Sequence, residues 1–185
     1  MRIISGKFKG KRIPSYGKID ARPTTDFAKE GLFNVLNNHI DFEELSVLDL
    51  FAGTGSISLE FISRGSSPVV AVEMNPKHCS YIRQLTSELS IDNLIVQRAD
   101  TFRFVASCKM KFDLIFADPP YQLTDIDKLP NLIFKHQLLK EDGWLVLEHS
   151  NKLNFEKHPF FMMHKHYGNV NFSFFILPKE TEASL

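Results

Sequence analysis

The stretch Asp49-Leu50-Phe51-Ala52-Gly53-Thr54-Gly55-Ser56 decides the fold. It ends a short apolar run, 46–50, and leads into residues of helical period, so it reads as a strand, a glycine turn and the start of a helix. Glycines at such a turn let the backbone approach a ligand at the carboxyl edge of a sheet, where open α/β folds bind cofactors. A dinucleotide fingerprint would need a third Gly or Ala at position 58, and the chain has Ser58, so a nicotinamide or flavin site fits poorly. The acid ahead of the glycines separates the remaining choices. Asp49 would repel a pyrophosphate and suits the ammonium group of S-adenosylmethionine.

The same theme repeats outward from this turn. Apolar runs at 69–73, 94–97, 112–117 and 144–148 alternate with helical stretches at 57–63, 76–89, 101–107 and 125–139. Short, nearly continuous apolar strands are those of a parallel sheet covered on both faces, and right-handed crossovers wind them in the order 3-2-1-4-5. Two further strands are predicted around a turn at Gly168-Asn169, adding an antiparallel C-terminal element, and the tail from Pro178 is expected to fray. The fold expected is an α/β, Rossmann-like doubly wound sheet, mostly parallel. Upstream, residues 3–14 read as a small basic hairpin, and a helix over 27–39 follows Arg22-Pro23-Thr24-Thr25-Asp26 with a Thr N-cap. The 185 residues suit one domain, with a basic hairpin and helix at 1–40, a catalytic core at 45–177 and a tail at 178–185.

Composition narrows the function class. Net charge is zero, yet residues 1–29 hold eight basic and two acidic side chains, a local +6 against −6 in the remainder. No stretch approaches the roughly 20 apolar residues of a membrane span, and the chain is expected to be cytoplasmic and monomeric. Cys79 and Cys108 lack CxxC spacing and read as free thiols. His164 and His166 would share one strand face as a surface pair, and no metal site is expected.

Asp118-Pro119-Pro120-Tyr121 follows the strand at 112–117. Two prolines make a stiff turn that presents carbonyl oxygens. With a carboxylate in front and an aromatic ring behind, the corner suits a planar ring bearing an exocyclic amine, namely a nucleobase. In the order 3-2-1-4-5 the first and fourth strands are neighbours, so Asp49 and Asp118 open into one crevice. Glu73, ending the second strand, is placed to accept from ribose hydroxyls. Asp100, ending the third, is placed to accept from an adenine amine, flanked by Met74 and Phe102. The candidate cofactor set is therefore Asp49, Phe51, Gly53, Thr54, Gly55, Glu73, Met74, Asp100, Thr101 and Phe102. Lys7-Phe8-Lys9-Gly10-Lys11-Arg12 sets an aromatic among cations, a pattern suited to phosphates and a stacked base. Arg2, Arg22, Thr24 and Thr25 join it as the candidate RNA-binding set.

Several segments together resemble the RsmD family: Arg2-Ile3-Ile4-Ser5-Gly6 with Lys9-Gly10-Lys11, Arg22-Pro23-Thr24-Thr25-Asp26 with Glu30-Gly31-Leu32-Phe33-Asn34, the glycine turn from Asp49, Val72-Glu73, and Asp118-Pro119-Pro120-Tyr121. That resemblance implies a class I S-adenosylmethionine-dependent methyltransferase acting on a guanine N2 in 16S ribosomal RNA, with the RNA presented in a small-subunit ribonucleoprotein. It implies that Asp49, Gly53, Gly55, Glu73 and Asp100 bind the methyl donor and that residues 118–121 hold the base. Lys29 is a departure, standing where Arg is common. The glycine turn and the Asp-Pro-Pro-Tyr corner are shared with adenine N6 DNA methyltransferases, an alternative that the absence of room for a target-recognition domain disfavours. A noncatalytic RNA- or nucleotide-binding module is the alternative from another class.

Overall fold

The computed structural model describes residues 2–14, 26–120 and 122–179. Seven strands form one sheet: β1 (Val47–Asp49), β2 (Val69–Glu73), β3 (Leu94–Arg98), β4 (Phe112–Ala117), β5 (Leu139–His149), β6 (Phe161–Tyr167) and β7 (Val170–Ile176). Their order is β3-β2-β1-β4-β5-β7-β6. The first five are mutually parallel, whereas β7 runs antiparallel to both β5 and β6. The chain reverses between β6 and β7 at Gly168, with φ +61°, and the His164 and His166 rings stack on one face of β6.

Alternation along the strands sorts the core into two layers. Val47, Ala71, Leu114, Phe116, Val146, Phe172 and Phe174 meet α1 (Asp26–Asn37), α2 (Ser56–Ser63) and α3 (Pro76–Glu88) on one side. Leu48, Val70, Val72, Ile115, Leu145, Leu147 and Phe175 meet α4 (Thr101–Ser107) and α5 (Leu129–Lys135) on the other. Asn75 caps α3 by accepting from Lys77 N–H, and Pro76 supplies the first-turn φ.

Two elements differ from expectation. The helix expected over 125–139 is a 3-10 turn at Ile126–Lys128 followed by the short α5, because Gln137 takes a left-handed φ of +54° and Leu139 already belongs to β5. Conversely β5 begins well before residue 144; the polar residues at 140–142 are exposed, which hides its first half from an apolar pattern. The basic N-terminal hairpin is a loop closed by a single Arg2–Arg12 bridge, with Ile3 N–H donating to Lys11 O and Gly10 N–H to Ile3 O. Its Ile3 and Ile13 side chains are buried in the layer that holds α1.

That loop is fastened to α2. Glu60, 0% exposed, accepts the Ile4 and Ser5 amides at 2.8 and 3.0 Å and the Arg64 guanidinium at 3.0 Å. Further along, Lys7 N–H donates to Ser63 O and Phe8 N–H to Ser63 Oγ. Gly6 is required here, since its φ is +77° and a Cβ would overlap the Ser63 carbonyl. Lys29 on α1, 1% exposed, completes the knot, donating to Arg2 O at 2.7 Å and lying 3.5 Å from Glu60 Oε2. Burial pulls its ammonium below the usual lysine value, and Glu60 pushes back. Removing one partner of such a buried pair leaves the other uncompensated. Glu60→Ala is therefore expected to cost about 3–5 kcal/mol of stability in chemical denaturation, with faster hydrogen exchange at the Ile4 and Ser5 amides; protection unchanged there would show that the loop is held by other contacts.

Candidate active site at the carboxyl edge of the sheet

The five parallel strands end on one edge, and the turn from β1 to α2 lies at its middle. Ala52 N–H bonds Val72 O and Leu50 N–H bonds Phe116 O, so the turn is anchored to β2 on one side and β4 on the other. Gly53 and Gly55 have φ of +54° and +82°. A Cβ on Gly53 would meet nothing within 4 Å, whereas one on Gly55 would press against Ile82. Gly55 is thus required for packing as well as for its backbone angle, and Gly53 faces open space beside the crevice. Thr54 is half-buried between them.

Asp49 is 1% exposed. Its Oδ2 accepts the Ser58 hydroxyl at 2.6 Å, while Oδ1 is buried without a hydrogen-bond partner. Ser58, noted in the sequence only as a missing glycine, therefore orients the carboxylate. Burial pushes the Asp49 carboxyl up to about 7; the Ser58 hydrogen bond opposes the rise, and the negative charge of Asp118 adds to it. Asp49 is in register with Phe116, two residues before Asp118, so the two acids stand at the neighbouring ends of β1 and β4, as the predicted strand order requires. The crevice thus holds a buried polar atom with no hydrogen-bond partner, a place that a ligand cation would suit.

Glu73 accepts Gly53 N–H through Oε2 and Asn75 N–H through Oε1, each at 2.7 Å. It braces the glycine turn from the end of β2, and a carboxylate with about four lone-pair sites keeps acceptor capacity for hydroxyl groups. Met74 beside it is 67% exposed. Asp100 caps α4 by accepting Arg103 N–H at 3.0 Å, so part of its acceptor capacity is occupied locally. The Thr101 hydroxyl, buried, donates to Leu50 O at 2.7 Å and ties α4 to the end of β1. Phe51 and Phe102 both pack on the layer that holds α4 and α5.

Just after β4, Pro119 is buried and Pro120 exposed, with Asp118 between these extremes. The Pro120 carbonyl is taken by Leu123 N–H at 2.9 Å, which closes the turn and occupies one of the acceptors that the sequence suggested for a base. Tyr121 lies outside the described residues, as do Arg22, Thr24, Thr25 and the expected Thr cap of α1.

The candidate RNA-binding residues divide. Arg2 and Arg12, at the open end of the N-terminal loop, stand near the first turns of α1 and α2, where Arg2 also pairs with Glu30 at 3.3 Å. Lys7 and Lys9 occupy the closed end beside Ser63, the last residue of α2 and one helix length, ~12 Å, from the glycine turn, whereas Lys11, opposite Ile3 and next to Arg12, stands at the open end. Phe8 is half-buried against the core, with the Lys7 ammonium 5.4 Å from its ring centre, so its ring already has a protein partner.

Known proteins share this architecture and sequence. A Buchnera aphidicola (subsp. Baizongia pistaciae) protein named "Ribosomal RNA small subunit methyltransferase D" is 33% identical over 154 residues, spanning 83% of this chain and 78% of that protein. A solved hypothetical protein from Thermus thermophilus superposes with a TM-score of 0.82 at 25% identity, covering 95% of this chain and 98% of its own. An RNA methyltransferase from Salinibacter ruber, solved with S-adenosyl-L-homocysteine, shares the fold at a TM-score of 0.64 and 16% identity, over 85% of this chain and 96% of its own. A family model, described as conserved hypothetical protein 95, matches residues 1–176, nearly the whole chain. The protein belongs to that family, the RsmD family, and has the class I methyltransferase fold.

Proposed function

We infer that this chain transfers a methyl group from S-adenosylmethionine to the exocyclic N2 amine of a guanine in 16S ribosomal RNA. The observation that carries the reading is the buried, unpartnered Asp49 oxygen at the end of β1, next to the end of β4 that leads into Asp118, in a chain of this family. The residues present fit the donor: the unpartnered Asp49 oxygen suits its ammonium, the space over Gly53 its approach, and Glu73 its ribose hydroxyls. Bound there, S-adenosylmethionine supplies an electrophilic methyl group on a sulfonium.

The remaining work belongs to the protein. A guanine N2 is a weak nucleophile because its lone pair is conjugated with the ring. The Asp118 carboxylate and the Pro119 carbonyl accept its two hydrogens, which draws the nitrogen towards sp³ geometry and turns its lone pair to the crevice. No strong base is needed, because the nitrogen becomes acidic only after alkylation; positioning and electrostatics dominate. Tyr121 stacks on the base, a contact worth about 1–3 kcal/mol against an unstacking cost of a few kcal/mol. The close balance leaves the basic N-terminal loop to supply affinity. The substrate is read as RNA within a small-subunit ribonucleoprotein, and the enzyme as a cytoplasmic monomer whose one chain carries both crevice and loop. No helix among the described residues is long and apolar enough to cross a membrane.

Nucleoside mass spectrometry on a strain lacking the gene tests the reaction. Loss of an N2-methylguanosine from 16S RNA is expected; intact N2-methylguanosine with lost N6-methyladenine in DNA would transfer the protein to the DNA enzymes. Asp118→Asn is expected to lower turnover about 10²–10³-fold with cofactor affinity retained, and loss of both in single-turnover and calorimetric measurements would place Asp118 in the cofactor site. A pH dependence follows from Asp49. Burial holds its proton up to about pH 7, and the ammonium group needs the ionised form. Cofactor affinity should therefore fall as pH drops from 8 to 6, approaching about tenfold per unit below 7. Asp49→Asn should bind weakly with a flat profile, and a flat wild-type profile in titration calorimetry would remove Asp49 from that role.

A further inference from the structure

We propose that Phe27 is the stacking platform for an unpaired RNA base close in sequence to the target guanine, with Arg2 and Arg12 holding the adjoining phosphates. The inference rests on the RNA reading above and names a residue outside the motifs that led to it. Phe27, in the first turn of α1, is 66% exposed. Such a ring in solvent gains nothing for the fold, yet this one is held in place. Tyr167 meets it edge-on at 5.8 Å between centroids, and the Tyr167 hydroxyl is fixed by donating to Gly31 O at 3.0 Å. Its other neighbours leave a face open to solvent.

Topology places the ring on the side of the molecule where the reaction occurs. Ala117 on β4 is level with Leu147 on β5, His149 on β5 with Asn171 on β7, and Val170 on β7 with Tyr167 on β6. Tyr167 therefore stands at the same carboxyl edge as Asp118. It also shares a sheet face with Phe116, the residue two before Asp118, since both pack in the layer containing α1. Three strand spacings separate β4 from β6, ~14 Å across the sheet. The base on Phe27 is accordingly a near neighbour of the one presented to Asp118.

Charge completes the site. Arg2 and Arg12 line a hollow with Ile13, Pro14 and Asp26, the residue before Phe27. Lys165 is exposed on β6, two residues from Tyr167 and on the same strand face. Asp26 and Glu30 stand among these cations, and Glu30 pairs with Arg2. An aromatic face flanked by arginines suits single-stranded nucleic acid, whose bases stack irrespective of identity while phosphates take the charge.

Methylation of small subunits purified from cells lacking the enzyme provides the test, with wild type compared to Phe27→Ala, Phe27→Leu and Phe27→Trp. Alanine and leucine are expected to raise KM for subunits roughly five- to a hundredfold, with kcat and cofactor affinity unchanged, and tryptophan is expected to keep KM at or below the wild-type value. Phe27→Ala should not alter the slope of affinity against salt, whereas Arg12→Ala should flatten it by about 0.7–0.9 in log-log terms. A wild-type KM in the alanine variant overturns the proposal. So does leucine performing as well as phenylalanine, which would mean apolar covering without stacking; this comparison decides the matter even if the alanine variant folds poorly. Failure of the wild type to methylate the subunit RNA would overturn the parent reading, and the platform with it.

Discussion

The carboxylate of Glu60 is the constraint on which the functional end of the molecule depends. It is fully buried on α2 and takes two amides of the N-terminal loop, one guanidinium and, at longer range, one ammonium. A buried anion of this kind is destabilising unless every lone pair is used, and the penalty falls on whichever state leaves one unmet. The loop, α1 and α2 are thereby locked as a unit, because Lys29 of α1 also holds Arg2 O and approaches Ser56, the first residue of α2. The glycine turn immediately precedes that residue. The basic segment, the helix that carries Phe27 and the glycine turn consequently share one support.

Asp49 is the opposite case. Its carboxyl, raised to about 7 from an unfolded value of 3.8, binds its proton more tightly in the fold than in the unfolded chain. Between those two pH values stability declines as pH rises, since ionisation is easier once the chain unfolds. Below both values the penalty vanishes, and above both it is complete. The fold tolerates an orphaned buried oxygen at the end of β1, and a perturbed buried carboxyl in a crevice is the mark of a candidate ligand site.

Much of this is legible in the chain itself. β2 and β4 fall at their expected residues because parallel strands buried on both faces are continuous apolar runs. The strand order, and with it the neighbouring ends of β1 and β4 that carry Asp49 and lead into Asp118, follows from the doubly wound βαβ pattern with right-handed crossovers. What escapes a linear reading depends on partners remote in sequence. The first half of β5 is polar, and only its pairing with β4 reveals it. Lys29 reads only as a departure from Arg until α2 brings Glu60 to it, 31 residues on. Ser58 reads as a missing glycine until its hydroxyl meets Asp49. The basic patch is one feature in the sequence, whereas the fold spreads it along α2.

That spread bears on how an RNA strand can lie. Residues 2–8 follow α2 from its start to its end, so the cations form a strip whose near end, Arg2 with Lys11 and Arg12, lies by the start of α2 and whose far end, Lys7 and Lys9, stands ~12 Å beyond. Phe27 and Tyr167 lie in another direction, along the sheet edge towards β6. The hollow of Arg2 and Arg12 reaches Asp26, the residue before Phe27, so the near end of the strip and the exposed ring are neighbours, while Lys7 and Lys9 are set apart from them by the length of α2.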